Sequence, residues 1–235
     1  MSKGKWTPLL AVVVLLAAAA AAHAAGPAKV LPFKRVDCDE LIGETQRGSP
    51  DPDRLLVVWW IPCEFWQVAW TQDPDLSEQE TKDLVEVVKP YTLVAVVDGR
   101  LGPLGGATYR SKESLRDTLS IRGTDGQRHE ALAESKLPDD LTNLLGALAP
   151  IMSNLIGKLG ENMSFFVFPA RDAQGNRTDD PTSKGRFTVG LGSEEYAWRL
   201  PLASLLEKKT CPKCGERLNG AYEFCPWDGA KLPAP

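Results

Sequence analysis

Apolar residues fall along this chain in patterns that predict strands first and helices second. Leu55–Trp60 is a continuous apolar run, with turn-forming residues over Gly48–Asp53 before it and Pro62 after it. Such a run fits a strand buried on both faces. Tyr91–Val97 and Met163–Phe168 are rich in β-branched and aromatic residues and predict two more strands. Paired runs predict hairpins: Thr118–Arg122 with Gln127–Leu132 around Thr124-Asp125-Gly126, and Arg186–Leu191 with Glu195–Leu200 around Gly192-Ser193. Asp98-Gly99 predicts a further tight reversal directly after Val97.

Helical spacing appears in three places. Ser77 followed by Glu80 is a capping box, and Leu84, Val85 and Val88 form the apolar stripe of a helix that Pro90 stops. Phe65/Ala69 and Trp66/Trp70 sit at i,i+4 and predict a short helix over Glu64–Thr71. From Asp139 to Leu159 the leucines recur at helical intervals; Pro150 implies a kink or two consecutive helices, and Gly160 ends the segment. Runs of hairpins favour antiparallel sheets over β-α-β units. The expected fold class is therefore α+β: an antiparallel β-sandwich-like body with two or three helices over residues 37–206, followed by a small unit over 207–235.

The N-terminus adds a compartment. Lys3 and Lys5 precede an apolar run from Leu9 to Ala22, and Ala22-His23-Ala24 places small residues where a signal peptidase needs them. The reading is a signal peptide over 1–24 and a Pro/Ala-rich linker over 25–36, hence an exported protein, periplasmic or secreted. An uncleaved N-terminal anchor is the alternative. The run of about 14 residues is shorter than the ~20 that a membrane span requires, so no stable span is expected after cleavage. Without the leader the chain carries 25 basic and 31 acidic residues, a net charge of −6, and has no Lys/Arg block. Binding to a phosphate backbone works through a basic face, so nucleic acid is not an expected partner.

The strongest chemical signal lies near the C-terminus. Cys211-Pro-Lys-Cys214-Gly215 and Cys225-Pro-Trp-Asp228-Gly229 are one pattern written twice, with a metal-ligating residue type at positions one and four. Proline presets φ and glycine accepts the positive φ that closes such a turn, so that both ligands converge on one ion. Asn219-Gly220 suits the reversal between the two halves, and Tyr222, Phe224 and Trp227 are candidates to cover the metal. Residues 211–232 resemble a zinc ribbon of the rubredoxin-knuckle type. That resemblance implies one structural zinc ion held by Cys211, Cys214, Cys225 and Asp228, in a unit that serves as an interaction module. The chain departs from the four-cysteine pattern at Asp228, whose carboxylate is also an admissible zinc ligand. The competing reading makes Cys211 and Cys214 a disulfide or redox pair.

Other constellations carry two readings each. Cys38 and Cys63 are the two remaining cysteines, either a disulfide closing a loop or two buried inert thiols. Trp59, Trp60, Trp66 and Trp70 crowd around Glu64, either as a ligand or interaction surface or as core. Glu64 is either a helix-start carboxylate or a buried acid with a raised pKa. Asp172, Gln174, Asn176, Asp179 and Asp180 read as a solvated turn, since they miss the register of a calcium loop. His129, beside charged neighbours, reads as an exposed strand residue. The functional expectation is an exported, non-catalytic binding or scaffolding protein with an unidentified protein partner. The alternatives are a hydrolase using carboxylates near Glu64 and a thiol redox protein using Cys211 and Cys214.

Overall fold

The computed structural model describes residues 29–233; the expected signal peptide at 1–24 lies outside them. In chain order the helices are α1 (Cys38–Thr45), α2 (Cys63–Gln72), α3 (Glu78–Val88), α4 (Lys112–Arg116), α5 (Asp139–Ile156) and α6 (Lys158–Glu161). The strands are β1 (Gln46–Gly48), β2 (Arg54–Ile61), β3 (Tyr91–Leu101), β4 (Ala107–Tyr109), β5 (Leu119–Arg122), β6 (Arg128–Glu130), β7 (Ser164–Pro169), β8 (Gly185–Leu191), β9 (Glu194–Leu200), β10 (Lys209–Thr210) and β11 (Arg217–Leu218). The fold is α+β, with antiparallel strands throughout.

One sheet has the order β1-β2-β3-β4, with β7 paired to β3 beside β4; the second has the order β6-β5-β8-β9. The period of two along β2 decides how they are covered. Trp59 points to the helical side, its ring 5.2 Å from Phe65 of α2, and its indole N–H donates to Thr45 Oγ1 of α1 at 3.0 Å. Trp60 points the other way, stacking on Phe187 of β8 at 4.2 Å and meeting Trp198 of β9 at 5.7 Å. Helices therefore cover one face of the first sheet and the second sheet covers the other. At about 25 cal/mol per Å² and 150–250 Å² per ring, each buried aromatic contributes on the order of 4 kcal/mol before entropy losses.

Local signals place most elements as the sequence predicts. Ser77 and Glu80 form the reciprocal capping box of α3. Helix α5 runs continuously through Pro150, with the break at Gly157 instead. Two expectations are corrected. Asp98-Gly99 is not a turn: β3 continues to Leu101, and residues 102–106 make the reversal into β4. Asp98 is held flat in the sheet because it is buried between Arg54 (2.8 and 3.0 Å) and Arg110 (3.3 Å). Burial raises its pKa, but the two guanidiniums outweigh this and hold the carboxyl below the usual range. The expected linker is also partly packed. Lys29–Glu207 and Leu31–Leu205 main-chain bonds (3.0 and 2.8 Å) lay this segment along residues 205–207, and Val36 is buried.

Among the described residues no helix is long and apolar enough to cross a membrane.

Candidate metal centre

The C-terminal unit has its own small core, made of Cys211, Leu218, Cys225 and Leu232 with Ala230 against them. Its two halves share the same pair of main-chain hydrogen bonds. Gly215 N–H donates to Cys211 O and Gly229 N–H to Cys225 O, both at 3.0 Å. Cys211 N–H donates to Glu216 O at 2.9 Å, and Cys225 N–H to Ala230 O at 2.8 Å. Gly215 and Gly229 have φ of 76° and 71°, a region that a side chain would strain. The repeat in the sequence is thus a repeat in space, two matched turns facing each other.

Between the turns, the thiols of Cys211, Cys214 and Cys225 and the carboxylate of Asp228 lie within 4.8 Å of one another. Cys214 Sγ is 3.8 Å from Cys225 Sγ, and Cys211 Sγ is 3.5 Å from Asp228 Oδ2. A tetrahedral ion with bonds of about 2.3 Å to sulfur and 2.0–2.2 Å to oxygen requires S···S edges of about 3.8 Å and S···O edges of about 3.6 Å. The spacing meets that requirement. Cys211 and Cys225 are buried and Cys214 is exposed, so the cluster sits at the edge of the unit.

The surroundings favour the anion at Cys211 and at Asp228, and oppose it at Cys214. N–H groups of Cys214 (3.5 Å) and Lys213 (3.4 Å) point at Cys211 Sγ and lower its thiol pKa. Ala230 N–H, at 2.8 Å from Asp228 Oδ1, lowers the Asp228 pKa. At Cys214 the N–H of Glu216 also lowers the pKa, but burial and the acidic groups around it win and push it up to about 12. Four acids this close cannot all ionise without a cation between them, which is the condition a metal relieves. The cluster can hold a metal ion with four protein ligands, leaving no tetrahedral position for water or substrate.

The three aromatics expected to cover the metal are exposed to solvent. Trp227 is 77% exposed, Phe224 57% and Tyr222 44%. The small core covers Cys211 and Cys225 without them, and the aromatic rings lie on the outside.

The structure separates the paired readings of the other candidate residues. Cys38 and Cys63 are both free thiols, at the first residues of α1 and α2, so the expected disulfide is absent. Burial pushes the Cys63 thiol up to about 12, which makes it inert rather than nucleophilic. The tryptophan cluster is core and not an exposed surface: Trp59, Trp60 and Trp66 are buried, and Trp70 stacks on Trp66 at 5.1 Å. His129 is half-buried, with Nε2 3.1 Å from Asp125 Oδ2.

Glu64 is buried near the start of α2, but its main partner is Arg177, at 2.6 and 3.2 Å. Arg177 also reaches Asp179 Oδ1 at 3.2 and 3.1 Å. The loop that reads as a solvated turn thus delivers a half-buried cation and a fully buried carboxylate to the helix of the tryptophan cluster. Burial pushes Asp179 up to about 6, with Arg177 opposing and Glu64 adding to the shift. Sequence reasoning misses Arg177 and places Asp179 in a solvated turn. The available signal is one arginine within a run of acids, and its partner is remote in the chain.

No protein-family model, curated protein or solved structure matches this chain.

Proposed function

We propose that the protein is exported, that its metal is one structural zinc ion in a C-terminal ribbon, and that the ribbon docks a partner protein while the body serves as scaffold. The observation that carries the reading is the matched pair of turns. Three thiolates and a carboxylate at tetrahedral spacing suit zinc among biological cations, and a filled coordination shell suits structure rather than catalysis. Outward Trp227 and Phe224 support the docking role, because aromatic anchors dominate binding surfaces. Hydrolysis at Glu64 has less support, since Arg177 engages both its carboxylate oxygens. Thiol redox chemistry has less support too, since Cys214 lies within ligand distance of Cys225 rather than being reserved for Cys211.

The test begins with metal analysis of the purified full chain, which should show one zinc per molecule. Crosslinking of the full chain in its native compartment, followed by mass spectrometry, should then map partner contacts to Trp227 and Phe224. The double variant Trp227→Ala/Phe224→Ala should keep its zinc and lose those crosslinks. A chain that purifies with titratable thiols and no metal overturns the zinc assignment. Crosslinks unchanged in the double variant overturn the docking role.

A further inference from the structure

Strand β7 lies at the border of the first sheet, with β3 on one side only. Its other side is half covered by the chain itself: Leu132 N–H donates to Val167 O at 2.7 Å. That bond fixes which groups face outward. In an antiparallel ladder the main-chain groups of successive residues alternate between the two sides. If the carbonyl of Val167 faces away from β3, then so do the N–H and C=O of Phe165, two residues earlier. No main-chain group meets either of them among the described residues.

Beside this open half lies a groove of about 330 Å³ between β7 and α5, floored by Phe165 and walled by Gly146 and Ala149. Small residues on the helix wall leave room for another chain; a Cβ on Gly146 would meet nothing within 4 Å. The rim carries Lys112 and Arg116, which share the single carboxylate of Glu134 at 2.6 and 3.1 Å. Two cations on one anion leave a surplus positive charge over an apolar trough. Unpaired strand edges are recognised by extended peptides, which pair their main chain with the edge and seat alternate side chains in adjacent pockets.

We propose that the open half of the β7 edge binds an extended segment of a partner protein, apolar at the position over the groove and carrying a carboxylate that Lys112 and Arg116 receive. The paired donor and acceptor of Phe165 select a peptide strand over a lipid chain, because an acyl chain satisfies neither. The surplus charge selects an acidic segment. The site is separate from the metal centre and stands without it.

The probe is a fluorescein-labelled octapeptide of alternating Val and Thr with one central Glu, titrated into the zinc-loaded full chain and followed by anisotropy. Saturable binding is expected, and replacing the central Glu by Lys should weaken it at least tenfold. Gly146→Trp fills the trough from an exposed helix position and should weaken binding at least tenfold with the fold intact by circular dichroism. Phe165→Pro removes the outward N–H together with the ring that floors the trough, and should also weaken binding at least tenfold. Lys112→Glu should reverse the preference between the Glu and Lys peptides. Equal binding by the parent and Gly146→Trp overturns the site, as does the lack of saturable binding by either peptide. If the parent sediments as a dimer that Gly146→Trp makes monomeric, the groove takes a second copy and the partner assignment is wrong.

Discussion

Arg177 closes both arms of its guanidinium on Glu64, a residue 113 positions earlier in the chain. Through this contact the 172–184 loop is fastened to α2, and the same guanidinium holds Asp179. Removing one partner of a buried ion pair leaves an uncompensated charge, which costs about 3–5 kcal/mol. Arg177→Ala strands two carboxylates, and an unfolding midpoint in urea should show a loss of about 3 kcal/mol. Glu64→Gln leaves Arg177 with Asp179 and should cost about half as much. Equal losses in the two variants would contradict the assignment of Arg177 as the shared cation.

Asp179 makes this part of the fold sensitive to pH. Its folded pKa is raised from 3.8 to about 6 by burial, so the folded state favours the protonated form. The sign follows: its contribution to stability is fully present below pH 3.8 and is lost as pH rises to about 6. Asp179→Asn removes that dependence. Between pH 4 and 6.5 the variant should gain on the parent by up to ~3 kcal/mol in chemical denaturation. A difference that stays constant over this window contradicts the burial argument.

Asp98 acts with the opposite sign. The two arginines hold its pKa below 3.8, so its contribution is present above 3.8 and fades as pH falls through the lower folded value. Asp98→Asn should destabilise the body at pH 7, and that effect should shrink as the medium is made more acid than pH 3.8, as read by thermal unfolding. A loss at pH 7 that stays undiminished as the pH is lowered from 3.8 would show that packing, and not charge, sets its role.

Metal removal should affect the tail alone. The unit buries only a handful of apolar side chains, so on the proposed reading the bound metal supplies most of its folding free energy. Under a strong chelator, tryptic cleavage after Lys213 and Arg217 should accelerate at least tenfold, while the thermal transition of the body is unchanged. Cys225→Ser should abolish metal binding, and Asp228→Cys should retain it. A body transition that falls on chelation would show that the two parts fold as one.

The tail folds back on its junction with the body at a glycine. A Cβ at Gly220 would lie 2.4 Å from Glu207 O and 2.7 Å from Leu206 Cβ, so only a bare backbone fits. Gly220→Ala should keep the metal and loosen this contact, seen as faster amide exchange at Leu206 and Glu207. Unchanged exchange there would show that the contact is dispensable.

What could be read from the chain was what short-range chemistry decides. The two knuckles were legible because ligand, proline and glycine lie within five residues of one another. Helix α3 and the β8–β9 hairpin were legible because a capping box and a Gly-Ser turn act over three or four positions. Asp98 was misread as a turn because its role depends on Arg54 and Arg110, which only pairing of distant strands brings near. The acidic loop was misread for the same reason, with its anchor on α2. Tyr222, Phe224 and Trp227 read as covers for the metal because aromatic residues usually pack; here all three are exposed, and a small core of Leu218 and Leu232 packs against Cys211 and Cys225 instead.

The adjacent indoles of Trp59 and Trp60 stand on opposite faces of β2, and this gives the central strand a single permitted phase. Sliding it by one position would exchange a ring stacked on β8 for one fitted between α1 and α2, misplacing both at once. Insertions and deletions within Leu55–Ile61 should therefore be lethal to folding. The exposed turn just ahead of the strand, around residues 50–53, is where changes in chain length can be absorbed.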